Sequence, residues 1–273
     1  MKRYRHYKKD KAIVLSCFGS VIEQQRYLDL KEIVKKEFLS CDVYLSFSSR
    51  MVLKHLARKD EKFKNLAQVL ADVDMLGYKH IVVSSINLFP TDEHEFMKKI
   101  VDGFASFSLA NINYTDAILT KTKQTSRFLK DLYFEISHEQ TANLFVIHGT
   151  PKLDTLGIES INYCAKYLEF LDERNFAFSL EGAFAYSDVK DVIKENIRKK
   201  GFKKVQVIPM LLVSGNHYEK DMHDIKDDFL SDFDSSMATL EDQKSFNLLG
   251  VTNIQDIVLE NIKETFTKSG YAL

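Results

Sequence analysis

The chain has 273 residues, of which 45% are hydrophobic and 28% are charged, with 38 basic and 39 acidic side chains. So many apolar residues can form a large core, which excludes a globally disordered chain. The balanced charge excludes a strong long-range attraction to nucleic acid or to an anionic membrane, so neither is an expected partner.

The beginning of the sequence and its cysteines predict a cytoplasmic protein. Residues 1–10 are basic, and the apolar run that follows, 12–17, is too short for a signal peptide or a membrane-spanning helix. Cys17, Cys41 and Cys164 are widely spaced and form no Cys-x-x-Cys pair. We therefore expect three free thiols in a reducing compartment.

Short β-branched or aromatic runs alternate with longer amphipathic stretches along the chain. This alternation is typical of a parallel sheet whose strands are connected by helices. We predict strands at residues 12–18, 42–47, 80–87, 113–119, 144–148, 177–180 and 204–213. We predict helices at residues 23–39, 51–76, 92–106, 158–174 and 187–200, and a C-terminal helix near 254–266.

The sequence also resembles itself. The segment Gly-Tyr-Lys-His-Ile-Val-Val from Gly77 is similar to Gly-Phe-Lys-Lys-Val-Gln-Val from Gly201, and residues 14–19 parallel residues 144–149. The predicted fold is therefore α/β, with two similar Rossmann-like lobes, each a parallel sheet flanked by helices, and a cleft between them. We place the lobes at 1–136 and 137–249, with a helix at about 250–273 packing back on the first.

Three residues at predicted strand ends can bind a metal ion. His148 ends an apolar strand and precedes Gly149, Glu181 ends the strand before Gly182, and His217 follows the apolar run 205–213. Open α/β sheets bind ligands at the carboxyl ends of their strands, and two imidazoles with a carboxylate suit borderline divalent ions. The alternatives are a histidine that bonds only to backbone, and a carboxylate that caps a helix or forms a surface salt bridge.

With these residues in view, the sequence resembles the anaerobic cobalt chelatases, class II enzymes that act on sirohydrochlorin. Leu211-Leu-Val-Ser-Gly-Asn-His217-Tyr-Glu-Lys-Asp-Met222 is similar to the family's Leu-Val-Ala-Gly-Asp-His-Ala-x-x-Asp-Met, and residues 12–20 are similar to its opening strand and turn. The resemblance implies a chelatase-like fold and a sirohydrochlorin substrate. It also implies that His148, Glu181 and His217 bind the metal and carry the catalysis.

The implied metal is a substrate, Co²⁺ first, with Fe²⁺ or Ni²⁺ as alternatives, and no organic cofactor is expected. One of the two histidines would also accept a pyrrole proton. Because the substrate carries several carboxylates, we expect Arg50, Lys54 or Lys220 to bind them. A homo-oligomer is left open.

Departures from the family keep other functions open. Asn87 stands where the family often has a histidine, Pro151-Lys152-Leu153 replace a histidine-rich tail, and residues 229–245 are acidic and lack a tryptophan. Asn87 and the altered tail motivate a non-catalytic tetrapyrrole or metal carrier of the same fold. The duplicated architecture alone motivates a two-lobed sensor or binding protein for a small ligand. An iron or nickel chelatase is a further alternative, because the ligand types do not separate these ions from cobalt.

Overall fold

The computed structural model describes residues 6–215, 217–240 and 246–270, without the side chains of residues 217–219 and 252. The chain forms two compact units. The first contains the described residues up to 118 and those from 252 onward, and the second contains those between 119 and 251.

The described elements alternate between strands and helices in both units. The strands are β1 (Lys9–Cys17), β2 (Cys41–Phe47), β3 (Tyr78–Ile86), β4 (Asn111–Tyr114), β5 (Thr141–Thr150), β6 (Asn175–Gly182), β7 (Lys204–Met210) and β8 (Asp234–Met237). The helices are α1 (Gln24–Glu37), α2 (Arg50–Arg58), α3 (Leu66–Met75), α4 (Asp92–Phe107), α5 (Thr122–Ile136), α6 (Ile158–Leu171), α7 (Tyr186–Lys199), α8 (His223–Leu230) and α9 (Thr252–Lys268). A π-helical turn (His217–Met222) leads directly into α8, and a 3₁₀ turn spans Leu248–Gly250.

The first unit is built on a parallel sheet of four strands in the order β2-β1-β3-β4. Ala12, Ile13, Val14 and Leu15 of the central strand β1 have no exposed surface. Strands that are buried on both faces read as continuous apolar runs, and each fully buried large side chain contributes about 1.5–3 kcal/mol. The helix α9 packs against β3 and α1, so the end of the chain completes this unit.

The second unit has a parallel sheet of the same type, in the order β6-β5-β7-β8. Its central strand β5 carries a polar side chain, Asn143, which is fully buried. The Nδ2 of Asn143 donates to Asn175 Oδ1 at 2.8 Å and to Ser137 Oγ at 3.1 Å. These two bonds satisfy the amide nitrogen and tie β5 to β6, whereas the buried Oδ1 of Asn143 has no hydrogen-bond partner among the described residues.

The predicted class, two α/β units each with a parallel sheet and flanking helices, is confirmed. The internal repeat is also visible in the topology, because β3 and β7 hold the same position in their sheets and follow Gly77 and Gly201, both with φ near +80° (77° and 79°). Among the described residues no helix is both long and apolar enough to cross a membrane.

Several predicted elements are wrong in detail. The strand predicted at 113–119 is replaced by β4 at Asn111–Tyr114, and residues 117–119 form a buried connection in which Ile118 N donates to Asn87 O. A short apolar run in a buried connection has the same sequence pattern as a buried strand, so the sequence alone does not distinguish the two. The strand predicted to reach residue 213 ends at Met210.

The helix predicted at 51–76 is two helices, α2 and α3. Asp60 adopts a left-handed φ of 61° between them, and Asn65 starts the second helix with a capping box to Gln68. The sequence patterns also miss α5 and the elements α8 and β8. The buried face of α5 consists of Thr125, Phe128, Leu129, Leu132, Tyr133 and Ile136.

Candidate functional site

Two of the predicted metal ligands lie beside each other at the carboxyl edge of the second sheet. His148 is near the end of β5 and Glu181 is near the end of the neighbouring strand β6. The Nδ1 of His148 lies 3.7 Å from Oε1 of Glu181, and the two side chains are 44% and 49% exposed. The pair is therefore accessible to a ligand from solvent.

The ends of β5 and β6 approach each other unusually closely. Gly149 pairs with Glu181, and Thr150 pairs with Gly182. Gly182 has a φ of +81°, and a Cβ built on it would lie 1.6 Å from the carbonyl oxygen of Thr150. Only glycine fits such a position, so the two strand-end glycines seen in the sequence set the spacing of the site.

The distance within the pair is suitable for one shared metal ion. Bonds from a divalent ion to imidazole nitrogen and carboxylate oxygen are about 2.0–2.2 Å long. The 3.7 Å between Nδ1 of His148 and Oε1 of Glu181 is less than the sum of two such bonds, so one ion can contact both atoms. Two protein ligands leave coordination positions open for exchange.

His217, the third predicted ligand, is only partly described. Its backbone begins the π-helical turn that ends at Met222, a buried residue, but its side chain lies outside the described part of the chain. Short π-helical segments are rare in proteins, and those that occur are often found at functional sites. Within the described residues no group of three or more His, Cys, Asp or Glu side chains could hold a metal ion, so the third ligand stays a prediction.

The predicted carboxylate-binding cations are all exposed. Arg50 is the first residue of α2, directly after β2 in the first unit, and Lys54 lies one turn further along the same helix. Lys220 lies in the π-helical turn of the second unit, close in sequence to His217. Arg50 and Lys54 lie on the element that follows β2, and Lys220 lies on the element that follows β7.

The first unit carries different residues at the corresponding positions. Phe18 follows β1 as His148 follows the core of β5, and it is 45% exposed. His94, which lies in a polar stretch of the sequence like His217, is buried in α4 with its Nδ1 2.8 Å from Ser85 Oγ. Burial, reinforced by Lys98, lowers the pKa of His94, so the imidazole is held neutral in the fold rather than offered to a ligand.

Sequence reasoning overlooks one residue that is close in sequence to Glu181. Phe184 follows Glu181 by three positions, has a left-handed φ of 55°, and exposes 67% of its surface. Its backbone conformation has no sequence signal, because an aromatic residue is not expected there. An exposed aromatic residue next to the predicted Glu-Gly strand end was the only indication available.

Comparisons with known proteins give a family and a fold for this chain. A family model described as "CbiK: Cobalt chelatase (CbiK)" matches residues 11–267. The solved structure of SirB from Bacillus subtilis with Fe³⁺ has a TM-score of 0.70 at 15% identity, covering 96% of this chain and 97% of that chain. The sirohydrochlorin chelatase SirB from Bacillus subtilis subspecies spizizenii, in complex with cobalt, has a TM-score of 0.62 at 16% identity, with coverages of 96% and 97%. At these identities the structural likeness establishes the fold.

Proposed function

Because the chain belongs to the CbiK cobalt chelatase family, we propose that it inserts a divalent metal ion into the tetrapyrrole sirohydrochlorin, and that the metal is Co²⁺. The observation that carries this proposal is the pair formed by His148 and Glu181, whose Nδ1 and Oε1 lie 3.7 Å apart on a solvent-accessible sheet edge. The two solved relatives by fold are described with iron and with cobalt.

The reaction exchanges one metal ion for two protons. The ion must lose water ligands, bind the four macrocycle nitrogens and displace the protons of two pyrrole N–H groups. An imidazole and a carboxylate serve both needs, since each can bind the ion transiently and each can accept a proton. We assign His148 and His217 as metal ligands, one of them also a proton acceptor, and Glu181 as a ligand whose charge orients the imidazole.

The substrate's carboxylates need cationic partners. Arg50, Lys54 and Lys220 are exposed, and charge-assisted hydrogen bonds from them would orient the macrocycle without taking part in the metal exchange. Replacing such a residue with alanine should raise KM for sirohydrochlorin and leave the affinity for Co²⁺ alone unchanged.

The test is metal insertion by the purified protein with sirohydrochlorin and Co²⁺, Fe²⁺ or Ni²⁺ in turn, followed by the absorbance of the macrocycle over many turnovers. His148→Ala and Glu181→Gln should each lower the Co²⁺ insertion rate on the order of 10²-fold. His138→Ala is the matched control, because His138 is an exposed histidine of the same unit that lies before β5, at the opposite edge of the sheet.

Each outcome decides a separate part of the proposal. Faster insertion of Fe²⁺ or Ni²⁺ than of Co²⁺ would overturn the choice of metal. Binding of metal and tetrapyrrole without repeated turnover would favour the carrier. Equal rates for His148→Ala and His138→Ala would remove His148 from the site.

A further inference from the structure

Phe184 lies in the short loop between β6 and α7, three residues after Glu181. The loop is bonded back to β6, because the backbone N–H of Ser179 in that strand donates to Phe184 O at 3.0 Å and Ser179 forms a parallel β-bridge with Ala185. Ser179 is only 3% exposed, so this attachment is fixed in the core of the unit. The backbone therefore holds Phe184 at the same sheet edge as the ligand pair.

The conformation of Phe184 is strained for its residue type. Among the described residues, the non-glycine residues with a positive φ are Asp60, Gln140 and Phe184. Polar residues tolerate this region better than an aromatic residue does, and a glycine would adopt it without cost. The Phe184 side chain is 67% exposed, so burial of the ring does not compensate for the strain.

Residues with a strained backbone conformation are concentrated at active sites and ligand-binding sites, where the surrounding structure holds them in place. Other apolar side chains leave the same edge of the sheet. Leu153 and Leu156, in the loop that follows β5, are 72% and 58% exposed. The polar pair of His148 and Glu181 is thus flanked in sequence by two loops that present apolar side chains to solvent.

We propose that the ring of Phe184 stacks on the conjugated face of the tetrapyrrole and holds the macrocycle at the His148–Glu181 pair. This inference rests on the proposed function and names a substrate-positioning residue for it. A planar macrocycle has charged groups at its rim and an apolar π face, and an aromatic ring contacts such a face without needing a hydrogen bond. Phe184 has no metal-binding atom, so its role is separate from that of the ligands.

The test compares Phe184→Ala, Phe184→Tyr and Phe184→Gly with the wild-type protein in three measurements. These are the Kd for metal-free sirohydrochlorin by fluorescence titration, the Kd for Co²⁺ alone, and Tm. Phe184→Ala should raise the tetrapyrrole Kd about tenfold, while the Kd for Co²⁺ stays within twofold of wild type. Phe184→Tyr keeps the ring and should bind the tetrapyrrole like wild type.

Phe184→Gly separates a substrate role from a structural one. Glycine removes both the ring and the strain, so its Tm should equal or exceed that of wild type while its tetrapyrrole Kd rises as in Phe184→Ala. Phe170→Ala is the matched control, because Phe170 is an 83% exposed phenylalanine near the end of α6, a helix that starts at the carboxyl edge and returns to the opposite one. Its tetrapyrrole Kd should stay at the wild-type value.

The inference is overturned if Phe184→Ala binds the tetrapyrrole like wild type, or if Phe170→Ala weakens binding as much. In either case insertion by the wild-type protein would leave the proposed function standing. Conversely, a wild-type protein that binds sirohydrochlorin but inserts no metal would defeat the proposed function, and the ratio of Kd values would still decide the role of Phe184. A wild-type protein that binds no sirohydrochlorin would overturn both.

Discussion

Gly149 and Glu181 face each other across the ends of β5 and β6, so closely that a Cβ on Gly149 would lie 2.0 Å from the carbonyl oxygen of Glu181. The φ of Gly149 is +82°, which also disfavours a side chain. The neighbouring His148 and the side chain of Glu181 depend on this approach for their 3.7 Å separation. Gly149 therefore has a geometric role in the site although it carries no functional group.

Gly149→Ala should weaken both the fold and the metal site. The added methyl group must push the two strand ends apart while its backbone stays left-handed, which we expect to cost about 2–5 kcal/mol in the free energy of unfolding. Because the ligand pair is then misaligned, the affinity for Co²⁺ should fall about 10–100-fold. Urea unfolding and a Co²⁺ titration of the same preparation measure the two effects.

Gly201→Ala is the control for backbone strain alone, since Gly201 has a φ of +79° but a Cβ there would meet nothing within 4 Å. It should cost about 1–2 kcal/mol and leave the Co²⁺ affinity unchanged. If the two variants lost equal stability and both kept wild-type affinity, the close approach of β5 and β6 would have no role in the site.

His94 should make the protein less stable in mild acid. Its folded pKa lies below the ordinary value, mainly because burial penalises the charged ring, with Lys98 adding to the effect and Glu95 and Asp116 opposing it. The unfolded chain therefore binds the proton more readily, and stability falls as pH drops below about 6.5. His94→Asn, which can keep a hydrogen bond to Ser85, should reduce this slope by at most about 1.4 kcal/mol per pH unit.

Urea unfolding at several pH values between 5 and 8 measures that slope, and insertion per folded molecule should be the same in both proteins. An unchanged slope in His94→Asn would show that the imidazole titrates alike in the folded and unfolded states. A lost insertion activity would instead place His94 in the catalytic machinery.

The strand-end residues of the second unit could be predicted from the sequence because the relevant signals are local. His148 and Glu181 each follow an apolar run and precede a glycine, and parallel strands bring their carboxyl ends to one edge. The mistakes arise where tertiary contacts decide. Residues 117–119 are as apolar as a strand but form a buried connection, and the burial of His94, which was not predicted, occurs in a polar stretch of sequence. Neither outcome is encoded in the periodicity.

Backbone conformation was the other property that the sequence did not reveal. The left-handed φ of Asp60 divides one predicted helix into α2 and α3, and Phe184, three residues after Glu181, also has a left-handed φ. A glycine in the sequence indicates a possible left-handed backbone position because it adopts that conformation at little cost. An aspartate or a phenylalanine adopts it only when the surrounding structure requires it.

The two buried cysteines, Cys17 and Cys164, should be unreactive in the native protein. All three are free, as predicted; Cys17 and Cys164 are buried, and burial raises the pKa of Cys164 to about 12. Because the thiolate is the reactive form, a disulfide-exchange reagent at pH 8 should label at most Cys41 before unfolding and three thiols after it. Rapid labelling of more than one thiol in the folded state would contradict the buried positions of Cys17 and Cys164.

The last prediction concerns Lys194, which joins α7 to α8 in the second unit. Its side chain is 10% exposed, and its Nζ lies 2.9 Å from Asp228 Oδ1 and 3.1 Å from Asp232 Oδ2. Hydrogen bonds lower the pKa of both carboxyls, chiefly from Tyr186 for Asp228 and from Arg198 for Asp232, whose pKa falls to about 2. Lys194 adds to the shift in both cases.

Lys194→Met should lower the free energy of unfolding at pH 7 by about 1.5–3 kcal/mol. The substitution removes hydrogen bonds to charged groups and leaves two carboxylates with one positively charged partner fewer. The depressed pKa values give the sign of the pH effect. This stabilisation is complete above the ordinary aspartate pKa near 4 and is lost as pH falls toward 2. Urea unfolding of both proteins at pH 7, 5, 4 and 3 should therefore show a difference in the free energy of unfolding that narrows below pH 4.

The control is Lys199→Met, which breaks an exposed ion pair with Glu195 on the same helix. It should change the free energy of unfolding little at any of these pH values. A gap of constant size from pH 7 to pH 3 would mean that Lys194 stabilises the unit only through the packing of its alkyl chain.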